Sequence, residues 1–256
     1  MVKNIFDTHA HYDDAAFDKD RNEIIENLKQ KGVCQIINAG VDILSSEKSI
    51  DFSKKYDFFC AAVGVHPLNL EDLEENYLNR LSTLIESNKK IVAIGEIGLD
   101  YHSPPFSSEN QQKIFISQIN LAKSYNLPVI IHSRDADPDT FEIIKKYRPN
   151  GVVHCFSGNL DLARVLIRFG LYIGVGGILT FKNEKKLVEV VSNIPLDNIL
   201  LETDCPYMAP VPFRGKRCDS SMIVYVAEKI SQLKNIPLED VLKKTRENAE
   251  KIFNIY

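Results

Sequence analysis

Short apolar runs alternate with longer segments of helical period along the chain. Eight runs read as strands: Ile5 to His9, Val33 to Ala39, Phe58 to His66, Ile91 to Gly98, Val129 to His132, Gly151 to Phe156, Leu171 to Val175 and Ile199 to Glu202. They are short and rich in β-branched residues, and their alternation with helical segments predicts repeated strand-helix units and a parallel sheet. Between them, Leu73, Tyr77, Leu81, Leu84 and Ile85, or Leu162, Val165, Leu166 and Phe169, recur at spacings of three and four. Such spacing puts the apolar side chains on one helical face that can cover a sheet. Local signals agree: Ser107 or Ser108 can cap a helix with Glu109 in its first turn, Pro138 fits a first helical position, and Gly170 ends a helix before a strand. A last helix, Leu238 to Phe253, follows the eighth unit.

Eight units in 256 residues match the size of one (β/α)8 TIM barrel with an extra C-terminal helix. No Gly/Ser/Pro-rich linker marks a second domain, so residues 1–256 are expected to form a single one. A doubly wound open sheet is the alternative, but its glycine fingerprint is missing: Gly174, Gly176 and Gly177 have the wrong spacing and follow the seventh strand.

Composition narrows the class further. With 44% hydrophobic and 26% charged residues the chain can fill a core, which excludes disordered and low-complexity proteins. No apolar run approaches the roughly 18 to 20 residues that cross a bilayer, and Met1 to Asp7 lacks the regions of a signal peptide. A cytoplasmic location, no membrane partner and a monomer without an obligate protein partner are the expectations. The five cysteines, Cys34, Cys60, Cys155, Cys205 and Cys218, are odd in number and never spaced Cys-x-x-Cys, so reduced thiols are expected. A formal charge of -4 gives no broad positive field, and any contact with nucleic acid must be local.

In a barrel the working face lies at the carboxyl ends of the strands, where polar metal-binding side chains carry functional weight. His9 and His11 close the first strand, His66 the third, Glu96 the fourth, His132 the fifth and His154 the sixth, and Asp204 follows the eighth. Strand side chains alternate, so His9 and His11, two apart, point to one face and can grip one cation. Glu96 sits in an apolar, glycine-rich strand end, where an unpaired charge would cost several kcal/mol; it needs a metal ion or an arginine. His132 and His154 are each the first polar side chain after an interior strand, which also suits a satisfied core histidine, and Asp204 could instead cap a helix. Four imidazoles and two carboxylates suit two divalent cations sharing a carboxylate: zinc, manganese, nickel or iron, with magnesium preferring oxygen-rich sites. Cys155 and Cys205 adjoin these candidates, but strand alternation is expected to turn Cys155 away from the mouth.

At these residues the chain resembles the TatD family of metal-dependent hydrolases. The matching pieces are Asp7-Thr8-His9-Ala10-His11, Gly64-Val65-His66-Pro67, Gly95-Glu96-Ile97-Gly98-Leu99-Asp100-Tyr101, His132-Ser133-Arg134-Asp135-Ala136, His154-Cys155-Phe156-Ser157-Gly158, Glu202-Thr203-Asp204, Arg214-Gly215-Lys216, and Asn248 to Phe253. The resemblance implies a (β/α)8 barrel, a divalent metal centre and phosphodiester cleavage, usually of DNA. It implies that His9, His11 and Asp204 hold one metal and His132 and His154 the other, that Glu96 bridges them, and that His66 stands near the scissile phosphate. After Arg214-Gly215-Lys216 the family usually shows an asparagine, a spacer and a proline; here Arg217-Cys218-Asp219-Ser220-Ser221 follows, which opens the question of substrate preference. Glu96 also separates this branch from amidohydrolases that bridge their metals with a modified lysine.

The expected function is therefore a deoxyribonuclease that attacks phosphorus with a metal-activated hydroxide, acting as a 3′ exonuclease on single-stranded DNA. Asp204 is the expected general base, with Glu96 and His66 also catalytic. His66 and Arg134 would neutralise the phosphate, although Arg134 could instead form a structural ion pair. Arg214, Lys216 and Arg217 would supply positive charge at the mouth, and Tyr101, Phe106, Tyr207 and Phe213 could stack a terminal base. A metal-dependent ester or amide hydrolase, such as a D-aminoacyl-tRNA deacylase or a lactonase, is the alternative enzyme; a non-catalytic metal-binding protein is the third reading.

Overall fold

The computed structural model describes residues 3–102 and 106–255. Eight parallel strands follow one another round the sheet in chain order: β1 Ile5–Ala10, β2 Val33–Ala39, β3 Phe59–Val63, β4 Ile91–Asp100, β5 Val129–Arg134, β6 Gly151–Val153, β7 Leu171–Val175 and β8 Ile199–Leu201. Helices alternate with them: α1 Arg21–Leu28, α2 Ile43–Lys55, α3 Tyr77–Ser87, α4 Ser108–Ser124, α5 Asp137–Tyr147, α6 Leu160–Arg168, α7 Lys186–Asn193, α8 Ile223–Lys234 and α9 Leu238–Phe253. This is the expected (β/α)8 barrel with its extra C-terminal helix. No described helix is long and apolar enough to cross a membrane.

The predicted helix signals act as read. Ser107 Oγ accepts from the backbone N–H of Asn110 at the start of α4, Pro138 lies in the first turn of α5, and Gly170 stands just past α6 at φ 90°. Strand ends differ from the sequence reading in both directions. β3 stops at Val63 and β6 at Val153, so His66, His154 and Cys155 lie in loops, whereas β4 runs on to Asp100 and β5 to Arg134.

The strands divide two apolar layers. Inside the barrel sit Phe6, Ile37, Ala62, Val92, Ile130, Val152, Tyr172 and Leu200, one from each strand, and Ala249, Ile252 and Phe253 of α9 close this interior from below. Outside, Ile36, Ile94, Ile131, Val153 and Ile173 pack under the helices. Each large apolar side chain buried this way contributes about 1.5–3 kcal/mol relative to exposure.

Regular ladders join β1 through β8 in order, but β1 and β8 meet by another device. Asp204 N donates to His9 O (2.9 Å), His11 N to Cys205 O (2.8 Å) and Thr8 Oγ1 to Leu201 O (3.0 Å). The wholly buried Asp7 carboxylate accepts from His9 N, Thr203 N, Thr203 Oγ1 and Ser220 Oγ at 2.5–3.2 Å. Burial lifts Asp7 to about 6 against the downward pull of these donors. The seam that closes the barrel is thus the one that carries His9, His11 and Asp204.

Candidate metal centre

Two strands reach the centre through irregularities. Asp7 pairs with Ile36 and Ala10 with Asn38, so β1 spends three steps where β2 takes two. In β4, Ile94 and Ile97 both belong to the outer layer though three apart, and the register slips between them. The extra residue turns Glu96 inward, buried at 4% exposure. In β5 strict alternation is enough: Ile130 points in, Ile131 out and His132 in.

The two oxygens of Glu96 divide the centre. Oε2 lies 3.2 Å from His9 Nε2 and 3.6 Å from His11 Nε2, while Asp204 Oδ1 lies 3.3 Å from His11 Nε2 and 3.8 Å from His9 Nε2. Oε1 lies 2.7 Å from His132 Nδ1, 2.8 Å from His154 Nε2 and 3.5 Å from His66 Nε2. The other side chains proposed as ligands and His66 thus surround the Glu96 carboxylate, with His9, His11 and Asp204 on its Oε2 side and His132, His154 and His66 on its Oε1 side.

The donor atoms fit cations. His11 Nδ1 must carry a proton, because it faces the carbonyl of Ala39 at 2.9 Å, so in the neutral ring Nε2 offers a lone pair. That lone pair lies 3.0 Å from His9 Nε2, and two such nitrogens beside two carboxylates are held together well by a divalent ion. Groups able to hold an ion are His9–His11–Asp204, His9–Glu96–His154 and His66–Asp100–His132. In the third, Asp100 engages the far nitrogen of His132: Nε2 donates to Asp100 Oδ2 at 3.0 Å, leaving Nδ1 for the Glu96 side. Asp100 thus orients His132 rather than sharing its inward nitrogen.

Protonation follows the same geometry. Burial disfavours charge on His11 and His132, but Asp204 and Glu96 for the first, and Asp100 and Glu96 for the second, outweigh it and lift both to about 9. Burial and the neighbouring His154 push His9 down to about 4. Burial works to raise Glu96 and Asp204, yet the surrounding imidazoles hold both carboxyls below their usual range. Burial also keeps His66 below its usual value, and its Nδ1 accepts from Leu68 N at 3.2 Å, so the neutral ring presents Nε2–H inward as a donor.

Above the centre lies a cavity of about 450 Å³ lined by His11, His66, Glu96, His132, Arg134, His154, Cys155, Asp204, Leu68, Tyr207 and Met208, among others. Arg134 is the one Lys or Arg side chain among the lining residues, and no described carboxylate lies within 4.0 Å of its guanidinium. Tyr101, Arg214 and Lys216 do not line it. Tyr101 donates its hydroxyl to Asp139 Oδ2 at 2.9 Å and stacks on Phe106, and the guanidinium of Arg214 lies 4.5 Å over the Phe181 ring.

Two expectations are corrected. Arg217 is not free at the mouth: it pairs with both Asp20 oxygens at 2.6 and 2.8 Å and caps the Phe17 ring. Cys155 is not turned away but lines the cavity, because β6 has already ended and its backbone is left-handed at φ 45°. Burial pushes its thiol well above the usual range, and no metal-competent group among the described residues includes it.

Sequence reasoning assigned no role to Asp100, Asp7 or Glu202. Asp100 was within reach, since Glu96, Gly98 and Asp100 are two apart on one strand, but only a strand longer than the apolar run reveals it. Glu202 accepts from Cys155 N and lies 3.9 Å from His154 Nδ1, with its second oxygen buried and unpartnered.

The chain matches the family described as TatD related DNase over residues 6–254. It is 42% identical to the uncharacterized metal-dependent hydrolase YabD of Bacillus subtilis (strain 168), covering 98% of this chain and 99% of that protein. Its fold superposes on the crystal structure of YjjV, a TatD homologue from Escherichia coli K12, with a TM-score of 0.95 at 32% identity over the whole of both chains. A TatD family hydrolase from Entamoeba histolytica gives 0.88 at 28% identity over 98% of each. Matched almost from end to end by the family and by relatives of its own length, the chain belongs to the TatD family of metal-dependent hydrolases.

Proposed function

We propose that this hydrolase is a deoxyribonuclease that removes nucleotides from the 3′ end of single-stranded DNA, using two divalent cations. The observation that carries the reading is the division of Glu96: one oxygen faces His9, His11 and Asp204, the other faces His132 and His154. Such a carboxylate suits a pair of cations, of which zinc, manganese and nickel fit the mixed nitrogen and oxygen donors better than magnesium. When bound, the cations supply Lewis-acid stabilisation of phosphate oxygens and an acidified water.

The chain's own residues do the rest. Asp204, kept ionised beside His11, accepts the proton of the attacking water, and its position at the edge of the centre suits that task. His66 Nε2–H and Arg134 offer donors to the substrate phosphate from two sides of the cavity. Leu68, Tyr207 and Met208, each exposed by two-fifths or more, form an apolar rim for the terminal base. A cavity of about 450 Å³ is at the lower end of small-ligand clefts, roughly 300–1,000 Å³, and admits a strand end more readily than a duplex. The DNase description of the matching family supports the same substrate.

The test is metal-loaded protein on end-labelled single strands, a closed single-stranded circle, aminoacyl esters and lactones, beside elemental analysis. Stepwise shortening from the 3′ end with the circle intact is expected. A circle cut as fast as the linear strand would remove the exonuclease assignment, and turnover of the esters alone would move the protein to carbonyl chemistry.

A further inference from the structure

Charge is distributed unevenly around the cavity mouth. On the β2–β3 side the cavity adjoins a groove of about 610 Å³ whose lining includes Leu44, Leu73 and Tyr77 and, as its charged members, Asp42, Glu47, Glu71, Asp72, Glu74 and Arg80. Arg80 pairs with Glu47 and Glu74 at 3.2 and 3.5 Å, and among the described residues Glu71 and Asp72 have no cationic partner within 4.0 Å. A polyanion crossing this sector would meet uncompensated negative charge.

The opposite side carries the reverse sign. The loop from β7 to α7 and the first turn of α7 hold Lys182, Lys185 and Lys186, and the loop after β8 holds Arg214 and Lys216. None of these five has a carboxylate within 4.0 Å among the described residues, whereas Arg217, two residues past Gly215, is fully engaged by Asp20. The one carboxylate in the β7–α7 loop, Glu184, accepts from Leu187 N at 2.7 Å and so faces its own helix start. Lys186 Nζ donates to the carbonyl of Ser157, a residue that lines the cavity, at 3.2 Å, which ties this cationic sector to the cavity edge. The two loops are packed together: Val211 N donates to Thr180 Oγ1 at 2.8 Å, and Arg214 lies over Phe181. Lys216 Nζ stands 6.0 Å over the Phe213 ring, so in this loop too the aromatic ring carries a cation above it. A run of such cations beside the cavity is a positively charged groove that can track the phosphates of a single strand.

We propose that the single-stranded substrate leaves the cavity over the β7–α7 and β8–α8 loops, its phosphates running past Lys186, Lys182, Lys185, Arg214 and Lys216, and that the acidic β2–β3 groove bars the other route. This rests on the DNA reading above and adds the strand's path to it. The terminal nucleotide occupies the cavity, and each further nucleotide toward the 5′ end meets the cationic loops.

The experiment measures binding of a fluorescein-labelled 20-nucleotide thymidine oligomer by anisotropy, in chelator and in manganese, across a salt series. Releasing counterions from single strands contributes about 0.7 to the slope of log affinity against log salt per phosphate neutralised. The Lys182→Gln/Lys185→Gln/Lys186→Gln variant is expected to lower that slope by about 2 and weaken binding at least tenfold. Its KM for the 20-mer should rise more than tenfold and that for a dinucleotide far less. Glu71→Gln/Asp72→Gln should leave the slope as in wild type. An unchanged slope in the lysine variant, or a steeper one in the acidic variant, overturns the path. Wild-type protein that neither binds nor cleaves any oligonucleotide defeats the DNA reading itself, a result separate from oligomer cleavage that is indifferent to these lysines. All five positions are solvent-exposed, and circular dichroism checks that the variants stay folded.

Discussion

His132 uses both ring nitrogens, and the second is the more informative. Its Nδ1 faces Glu96, so the Nε2–H bond to the nearly buried Asp100 fixes which nitrogen is offered inward. Asp100→Ala should weaken metal binding about 10–100-fold while leaving the thermal midpoint of the chelated protein close to wild type. Titration with zinc or manganese, with the imidazole nitrogen shifts followed by NMR, checks this; a wild-type affinity would remove the orienting role. A pH dependence follows from the neighbouring shifts. With His11 and His132 lifted to about 9 by their carboxylates, both rings hold a proton at neutral pH in the metal-free protein. A cation must displace such protons, so affinity is highest at high pH and falls as pH drops below 9, by about tenfold per pH unit for each proton released. Calorimetry at pH 7 in buffers of different ionisation heat should register that release. At the same scale, Glu96→Gln should abolish turnover, because a neutral amide cannot serve two donor groups with negative charge; rates near wild type would end the bridging assignment.

Among the elements, β4 shows how geometry places chemistry. An extra residue between Ile94 and Ile97 turns Glu96 inward, and the continued strand then brings Asp100 beside His132. The pairing of Gly98 with His132 leaves no room for a side chain: a Cβ at Gly98 would lie 1.9 Å from the His132 carbonyl, at φ 151°. Gly98→Ala is expected to destabilise the fold by several kcal/mol, on the order of the costs of strain and overpacking together, and to displace His132. Urea unfolding measures the first effect and metal titration the second. The β1–β8 seam makes a parallel case, since Asp7 replaces a regular ladder there. Asp7→Ala leaves four donors facing a void, and a loss of about 3 kcal/mol is expected from orphaned buried donors at about 1–3 kcal/mol each, less what rotating hydroxyls recover. A variant as stable as wild type would show that the seam is held elsewhere.

For the whole molecule, the centre is assembled from β1, β4 and β5 and from the loops after β1, β3, β6 and β8. A divalent cation held there would link distant parts of the chain, and only the folded state offers the full set of side chains. At a metal concentration one hundred times Kd the folded state should gain about 2.7 kcal/mol. Calorimetric scans with metal and with chelator should differ in midpoint in that direction, with turnover lost in chelator and restored on reloading. The acidic β2–β3 sector and the cationic β7–β8 sector belong to this scale too, because each draws its charges from segments far apart in sequence.

The chain by itself determined the number, order and kind of the elements, since periods of 2 and 3.6 are local properties of successive side chains. It also marked the candidates that surround Glu96: His9, His11, His66, His132, His154 and Asp204 are polar side chains at the ends of apolar runs, although the same positions suit a core histidine or a helix cap. Tertiary structure decided how they face. An extra residue in β1 or β4 shows only in the register with a neighbouring strand, and alternation alone would have sent Glu96 outward. The tautomers of His11 and His66 depend on Ala39 and Leu68, the fate of Arg217 on Asp20, and the turning of Cys155 on where β6 stops. Each of these is a contact or a chain direction set by packing, and no period along the sequence encodes it.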